Sequence, residues 1–296
     1  MTVDNARAVA DAVLLEGYLL YPYRASALKN RMRWQFGVLA PKDEEAEPSF
    51  ARTECLCVAD PGAKLDVLVR CLQLRTRRDE PSWDEGELRE VDATVELDSL
   101  QQGREILFGI PGGADDRSRW LPLSGAIGID LTAVAGGFNR LTVVVENRTR
   151  YEPASREEML RRSLVSTHVV LALRGGHFLS LVDPPEAARE ATQACRNEHT
   201  WPVLVGEPGQ CDVMLSAPII LYDHPAIAPQ SAGDSFDATE IDEILTLRTL
   251  TLTEEEKREA RQTDPRAAAV VDRAEQLTAE SLLKMHGTLR YPESPE

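Results

Sequence analysis

Residues 127–147 read IGIDLTAVAGGFNRLTVVVEN, two apolar, β-branched runs on either side of Gly136-Gly137. Paired glycines supply the positive φ that primed turns require, so this stretch predicts an antiparallel β-hairpin. A second pair, Gly175-Gly176, lies between HVVLAL and HFLSLV and carries the same expectation. Upstream, Arg52–Val58 and Lys64–Arg75 flank Asp60-Pro61-Gly62-Ala63, which reads as a turn joining two strands. Val91, Ala93, Val95 and Leu97 alternate with Asp92, Thr94, Glu96 and Asp98, the period of a half-buried strand. Further strands are expected at Pro202–Val205 and Val213–Tyr222.

Outside these strands the pattern turns helical where capping residues announce it. Asp4–Glu16 carries Ala6, Val9, Ala10 and Val13 at helical spacing. Ser155 to Glu158 and Thr253 to Glu256 form capping boxes, and Asp183-Pro184-Pro185-Glu186 and Asp264-Pro265 begin further helices. A last helix is expected over Thr278–His286. The fold class that follows is α+β: a strand-rich body of mostly antiparallel hairpins, sandwich-like, over residues 1–222. An acidic, proline-containing connecting segment spans 223–252, and C-terminal helices fill 253–296.

Composition narrows the partners. Lys plus Arg number 33 against 49 Asp plus Glu, a formal net charge of −16, which repels phosphate backbones and disfavours nucleic acid. Five cysteines, an odd number, exclude a complete disulfide framework, and reduced thiols in a cytoplasm are the simpler reading. The N-terminal apolar run is broken by Asp11 and Glu16, and no stretch reaches the roughly 18 apolar residues of a membrane helix. Membrane insertion is not expected.

The carboxylate-rich segment YDHPAIAPQSAGDSFDATEIDE, residues 222–243, sets Asp223, His224, Asp234, Asp237, Glu240, Asp242 and Glu243 around two prolines, Pro225 and Pro229. Asp223, His224, Asp234 and Asp237 are candidates for a hard-metal or acid/base site if the loop folds back on itself. The same acids equally suit a partner-binding loop, or a helix start favoured by the dipole. Cys55 and Cys57 share one face of a strand about 7 Å apart, a spacing that two ligands of one metal tolerate, although no third ligand is apparent. Gly17–Lys42 contains no acid and sets Arg24, Arg31 and Arg33 among Tyr21, Tyr23 and Trp34, the residue types of interface hot spots. Its aromatics could instead be core, with the arginines paired to the chain's own carboxylates. The common nucleophile elbow, phosphate loop, dinucleotide turn and zinc helix are all missing, so no catalytic residue is assigned.

Three blocks, LLYPYRASALKNRMRWQFG (19–37), SLVSTHVVLALRGGHFLSLVDPP (163–185) and APIILYDHPAIAPQSAGDSFDATEIDEILTLRTLTLTEEEK (217–257), resemble an uncharacterised protein family. Its members are encoded in the gene clusters of actinobacterial-type, high-affinity, oxygen-tolerant nickel-iron hydrogenases. The resemblance implies a cytoplasmic, non-catalytic accessory, maturation or assembly protein that binds a hydrogenase subunit or another maturation factor, with no cofactor of its own. The rival expectation is a metal-binding protein or metal-dependent hydrolase, and a third is a homodimer in which the basic and acidic segments face each other.

Overall fold

Phe50–Arg77 runs as a single strand, β1, despite the Asp60-Pro61-Gly62-Ala63 sequence in its middle. The computed structural model describes residues 2–16, 18–31, 33, 36–44, 47–78, 83–100, 102–152, 155–226 and 242–278, leaving aside the side chains of 2–5, 28, 31, 242 and 243. Helices α1 (Thr2–Leu14) and α2 (Leu28–Arg31) precede β1. After it come β2 (Asp84–Glu96), β3 (Arg104–Ile110), β4 (Gly113–Ala114), β5 (Ser118–Trp120), β6 (Leu123–Val134) and β7 (Phe138–Asn147). Helix α3 (Arg156–Leu160) leads to β8 (Val165–Phe178), and α4 (Arg189–Gln193) leads to β9 (Trp201–Leu204) and β10 (Val213–Ala217). Helices α5 (Asp242–Leu250), α6 (Glu254–Thr263) and α7 (Pro265–Gln276) complete the described elements. They divide into two compact units, Met1–Leu15 with Trp34–Ala226, and Glu16–Arg33 with Ile227–Glu296.

The first unit is a strand-rich antiparallel sheet, with helical elements on it, ordered β3-β6-β7-β1-β8-β10-β9, with β2 and β5 also paired to β1. The Gly136-Gly137 hairpin forms as expected: β6 and β7 pair from Gly125↔Asn147 to Val134↔Phe138, and both glycines take positive φ. The other two expected turns do not form. Residues 60–63 bulge out of β1 opposite Gly175 alone, between the pairs Ala59↔Gly176 and Lys64↔Arg174. Gly175-Gly176 thus lies inside β8 and joins no hairpin. The physical reason is that glycine and proline serve bulges as well as turns. Gly175 holds φ +83, and a Cβ on Gly176 would meet the Val58 carbonyl oxygen at 2.3 Å, so both glycines are needed where β8 crosses the bulge.

The bulge lets the two halves of β1 serve one interior. Cys55 and Cys57 from its first half join Leu65, Val67, Val69 and Cys71 from its second in a single apolar cluster with β6, β7 and β8 residues. Burying each such aliphatic side chain is worth roughly 1.5–3 kcal/mol, so this shared core outweighs the local turn tendency of 60–63. Ala6, Ala10 and Val13 of α1 pack on Val170, Val213 and Leu215, covering the other face of β8 and β10.

In the second unit, α6 opens with the Thr253 and Glu256 capping box, and α7 with Asp264 as N-cap and Pro265 in its first turn. Leu245, Ala260, Ala267, Val270 and Val271 are buried there, as are Tyr18, Leu19 and Tyr23. The expected helix over 278–286 lies outside the described residues apart from Thr278.

Candidate partner-binding groove

At Gly37 one residue from each of the three blocks quoted above meets: Gly37, Thr167 and Pro218. The Gly37 carbonyl accepts a hydrogen bond from the Thr167 amide at 2.8 Å. Its α-carbon abuts Pro218 so closely that a Cβ would lie 2.7 Å from the proline Cγ and 2.9 Å from the Thr167 nitrogen. With φ +57, position 37 both needs the left-handed region and lacks room for a side chain, which only glycine satisfies cheaply. Two residues on, Leu39 and Leu164 exchange both main-chain hydrogen bonds, at 2.9 and 3.1 Å, fastening the 37–39 segment beside the residue that precedes β8.

Around this junction opens a groove of about 370 Å3, lined by Phe36, Gly37, Pro48, Trp201, Pro218 and Ile220 among others. Phe36 is 38% exposed, Trp201 40% and Ile220 79%, with Tyr222 close by in sequence at 62%. The Trp201 indole N–H donates to the Leu221 carbonyl at 2.9 Å, so the ring is oriented while its face stays open. Exposed aromatic and aliphatic side chains gathered on a fixed frame are the composition of a protein-docking site. Sequence reasoning assigned Val213–Tyr222 to a strand and missed these residues. The available signal was Ile219-Ile220-Leu221, an apolar run that the sheet does not consume, because β10 stops at Ala217.

Next to the groove, Asp223 and His224 have structural work. In the β9/β10 ladder Val205 donates to Val213, and Val203 pairs with Leu215, so by alternation Pro202 and Leu204 turn their main-chain groups outward. Pro202 has no N–H to offer. Leu204 N–H donates to Asp223 Oδ1 at 2.8 Å, and the His224 N–H donates to the Leu204 carbonyl at 2.7 Å. Asp223 Oδ2 also accepts from Ser180 Oγ at 2.5 Å, and His224 Nδ1 lies 3.2 Å from the Gly206 carbonyl. The pair thus seals the sheet edge against further strand pairing. Asp234, Asp237 and Glu240 lie outside the described residues, whereas Asp242 and Glu243 begin α5.

Cys55 and Cys57 face the sealed core, where burial pushes the Cys57 thiol up to about 12 and Cys55 well above its ordinary range. Cys71 joins them on that side, burial again raising it to about 12. Among the described residues no three His, Cys, Asp or Glu side chains gather as a metal would need.

The aromatic and basic N-terminal residues are placed within the second unit. Tyr23 is fully buried and meets the Tyr21 ring edge-to-face at 6.0 Å. Arg24 bridges Glu256 and Glu259 at 3.2 and 3.5 Å. Arg33 is buried, donates to the Tyr18 carbonyl at 3.2 Å and lies over the Tyr18 ring. Tyr18 in turn donates to Asp264 at 2.8 Å, with Arg266 stacked 4.6 Å from its ring; burial, then Asp264, push its hydroxyl pKa well up. Arg31 has no described side chain and Trp34 lies outside the described residues. No described helix is long and apolar enough to cross a membrane. No family model matches the chain, and no curated protein is significantly similar to it.

Proposed function

We propose that this protein is a cytoplasmic, non-catalytic accessory factor of a nickel-iron hydrogenase, and that it binds a hydrogenase subunit or maturation protein through the groove at Gly37. The observation that carries this reading is the convergence of Gly37, Thr167 and Pro218, one residue from each of the three blocks that carry the family resemblance, beside exposed Phe36, Trp201 and Ile220. Segments far apart in sequence that meet beneath an exposed apolar surface support a shared binding role rather than three separate structural ones. The Tyr23, Arg24 and Arg33 side chains serve internal packing and ion pairs, which shifts the docking role from that basic stretch to Phe36, Trp201 and Ile220.

The test is genetic complementation. A deletion strain of a hydrogenase-bearing host loses hydrogen oxidation, and the wild-type chain restores it. A W201A/I220D variant, changed only at exposed positions and equally abundant in the cell, does not. Normal hydrogenase activity in the deletion strain overturns the reading, as does full rescue by the variant.

A further inference from the structure

A second site, sharing no residue with the groove and independent of the accessory reading, lies where three arginine-rich stretches meet. Arg75 and Arg77 lie at the end of β1 with Arg78 just after it, Arg117 precedes β5 and Arg119 lies within it, and Arg161 and Arg162 follow α3. The β1/β5 pairing sets Thr76 against Arg119 and Arg77 against Ser118, and the Arg78 amide donates to the Arg117 carbonyl at 2.8 Å. Arg161 grips both oxygens of Asp84 at 3.2 and 3.3 Å, which brings α3 over the same surface. The space left between them is a cavity of about 240 Å3, with Leu74, Trp120 and Leu121 as apolar lining and Thr76, Arg78, Arg119, Glu158 and Arg161 as its polar groups.

The local charge balance is what distinguishes this cavity. Glu158, the one acid in the lining among the described residues, is engaged by Arg161 at 3.0 Å and Arg162 at 2.7 Å, and Asp84 is engaged by Arg161 and by the Thr76 hydroxyl at 2.6 Å. Two carboxylates therefore offset Arg161 and Arg162. Arg78 and Arg119 are left over, exposed, with no ion pair among the described residues. Two guanidinium groups that line one cavity without a carboxylate partner among the described residues suit an anion that both can contact. In a chain of net charge −16, the described lining of this cavity carries three arginines against one glutamate.

We infer that this cavity is a binding site for a compact small-molecule dianion, either a phosphomonoester or a dicarboxylate. Guanidinium forks match the two-oxygen edges of both groups, and the apolar lining strengthens the attraction by displacing water. The volume is below the roughly 300–1,000 Å3 of sites for drug-sized ligands, so the occupant is small.

Isothermal titration of the full chain tests this, with inorganic phosphate, glycerol 3-phosphate and succinate as probes and sodium chloride at matched ionic strength as the blank. At least one probe binds saturably at one site per chain, and which one does separates the phosphate source from the carboxylate source. An R78A/R119A variant weakens that binding by about tenfold or more. An R104A/R150A variant, removing the same charge from exposed arginines that do not line the cavity, stays within about twofold. Saturable binding by none of the probes overturns the inference. So does undiminished binding by R78A/R119A, or an equal loss in R104A/R150A.

Discussion

His168 provides a stability switch whose size follows from its surroundings. It lies on β8 directly across from Arg70 of β1, 1% exposed, with Nδ1 3.0 Å from the Ser166 carbonyl. Above it, Arg70 is held by Asp11 of α1 at 2.5 Å and by Glu90 of β2 at 2.9 Å. Burial, reinforced by the Arg70 charge, brings the imidazole down from 6.5 to about 4, against the Ser166 hydrogen bond and the two carboxylates, which push the other way. The unfolded chain therefore takes up a proton near 6.5 that the folded chain refuses until about 4. Stability from this site is intact above 6.5 and is lost as pH falls toward 4. At 1.36 kcal/mol per tenfold difference in proton affinity the loss totals about 3 kcal/mol. Urea unfolding of the wild type and a His168→Gln variant, run from about pH 7 to about pH 4 at fixed ionic strength, isolates this contribution, since the other titrating groups cancel in the difference. The wild-type advantage shrinks by about 3 kcal/mol across that window. Curves that stay parallel within about 0.5 kcal/mol would refute the burial of a neutral imidazole beneath α1.

Further expectations concern the frame of the groove and the second unit. Gly37→Ala forces a Cβ into the left-handed region and against Pro218 and Thr167, costing about 2–4 kcal/mol by chemical denaturation; a loss under about 0.5 kcal/mol contradicts the close approach. Asp223→Ala strips the acceptor from Leu204 N–H and Ser180, costing about 1–2 kcal/mol and promoting concentration-dependent association through the exposed β9 edge, whereas Asp223→Asn retains most of the stability. If Asp223 served as a metal ligand instead, elemental analysis of unchelated protein would find metal that Asp223→Asn loses. Tyr18→Phe removes the hydroxyl shared by Asp264 and Arg266 and lowers stability by about 1–2 kcal/mol. Asp264→Ala costs about 1 kcal/mol more, because its other oxygen caps α7 at the Arg266 amide; equal losses in the two variants would contradict that double role.

Much of the secondary structure was legible in the sequence because local chemistry dictated it. Gly136-Gly137 forms its hairpin, α1 buries the face that Ala6, Ala10 and Val13 mark, and the Ser155, Thr253 and Asp264 caps start their helices. Asp60-Pro61-Gly62-Ala63 and Gly175-Gly176 misled for a specific reason. Each pair of flanking runs reads alike whether the chain reverses or bulges, and only the partner strand decides between them. Similarly, Arg24 looks like a docking residue until Glu256 and Glu259, more than 230 positions away, claim it. The groove was hidden because its floor joins residues near 37, 167, 201 and 218, a proximity no local pattern encodes. Phe36 and Trp201 are aromatic residues of a kind usually assigned to the core, and their exposure becomes visible only once β9 is set at the sheet edge.

We propose above that the surface around Trp201 and Ile220 holds a hydrogenase subunit or maturation protein. The most direct test is the dissociation constant between the purified chain and each purified hydrogenase subunit and maturation protein of the same host, measured by biolayer interferometry. One of them binds the wild type saturably, and the W201A/I220D variant, with its unfolding midpoint preserved, binds it at least about tenfold more weakly. Equal affinity for wild type and variant, or no binding by any of these partners, contradicts a docking role for Trp201 and Ile220.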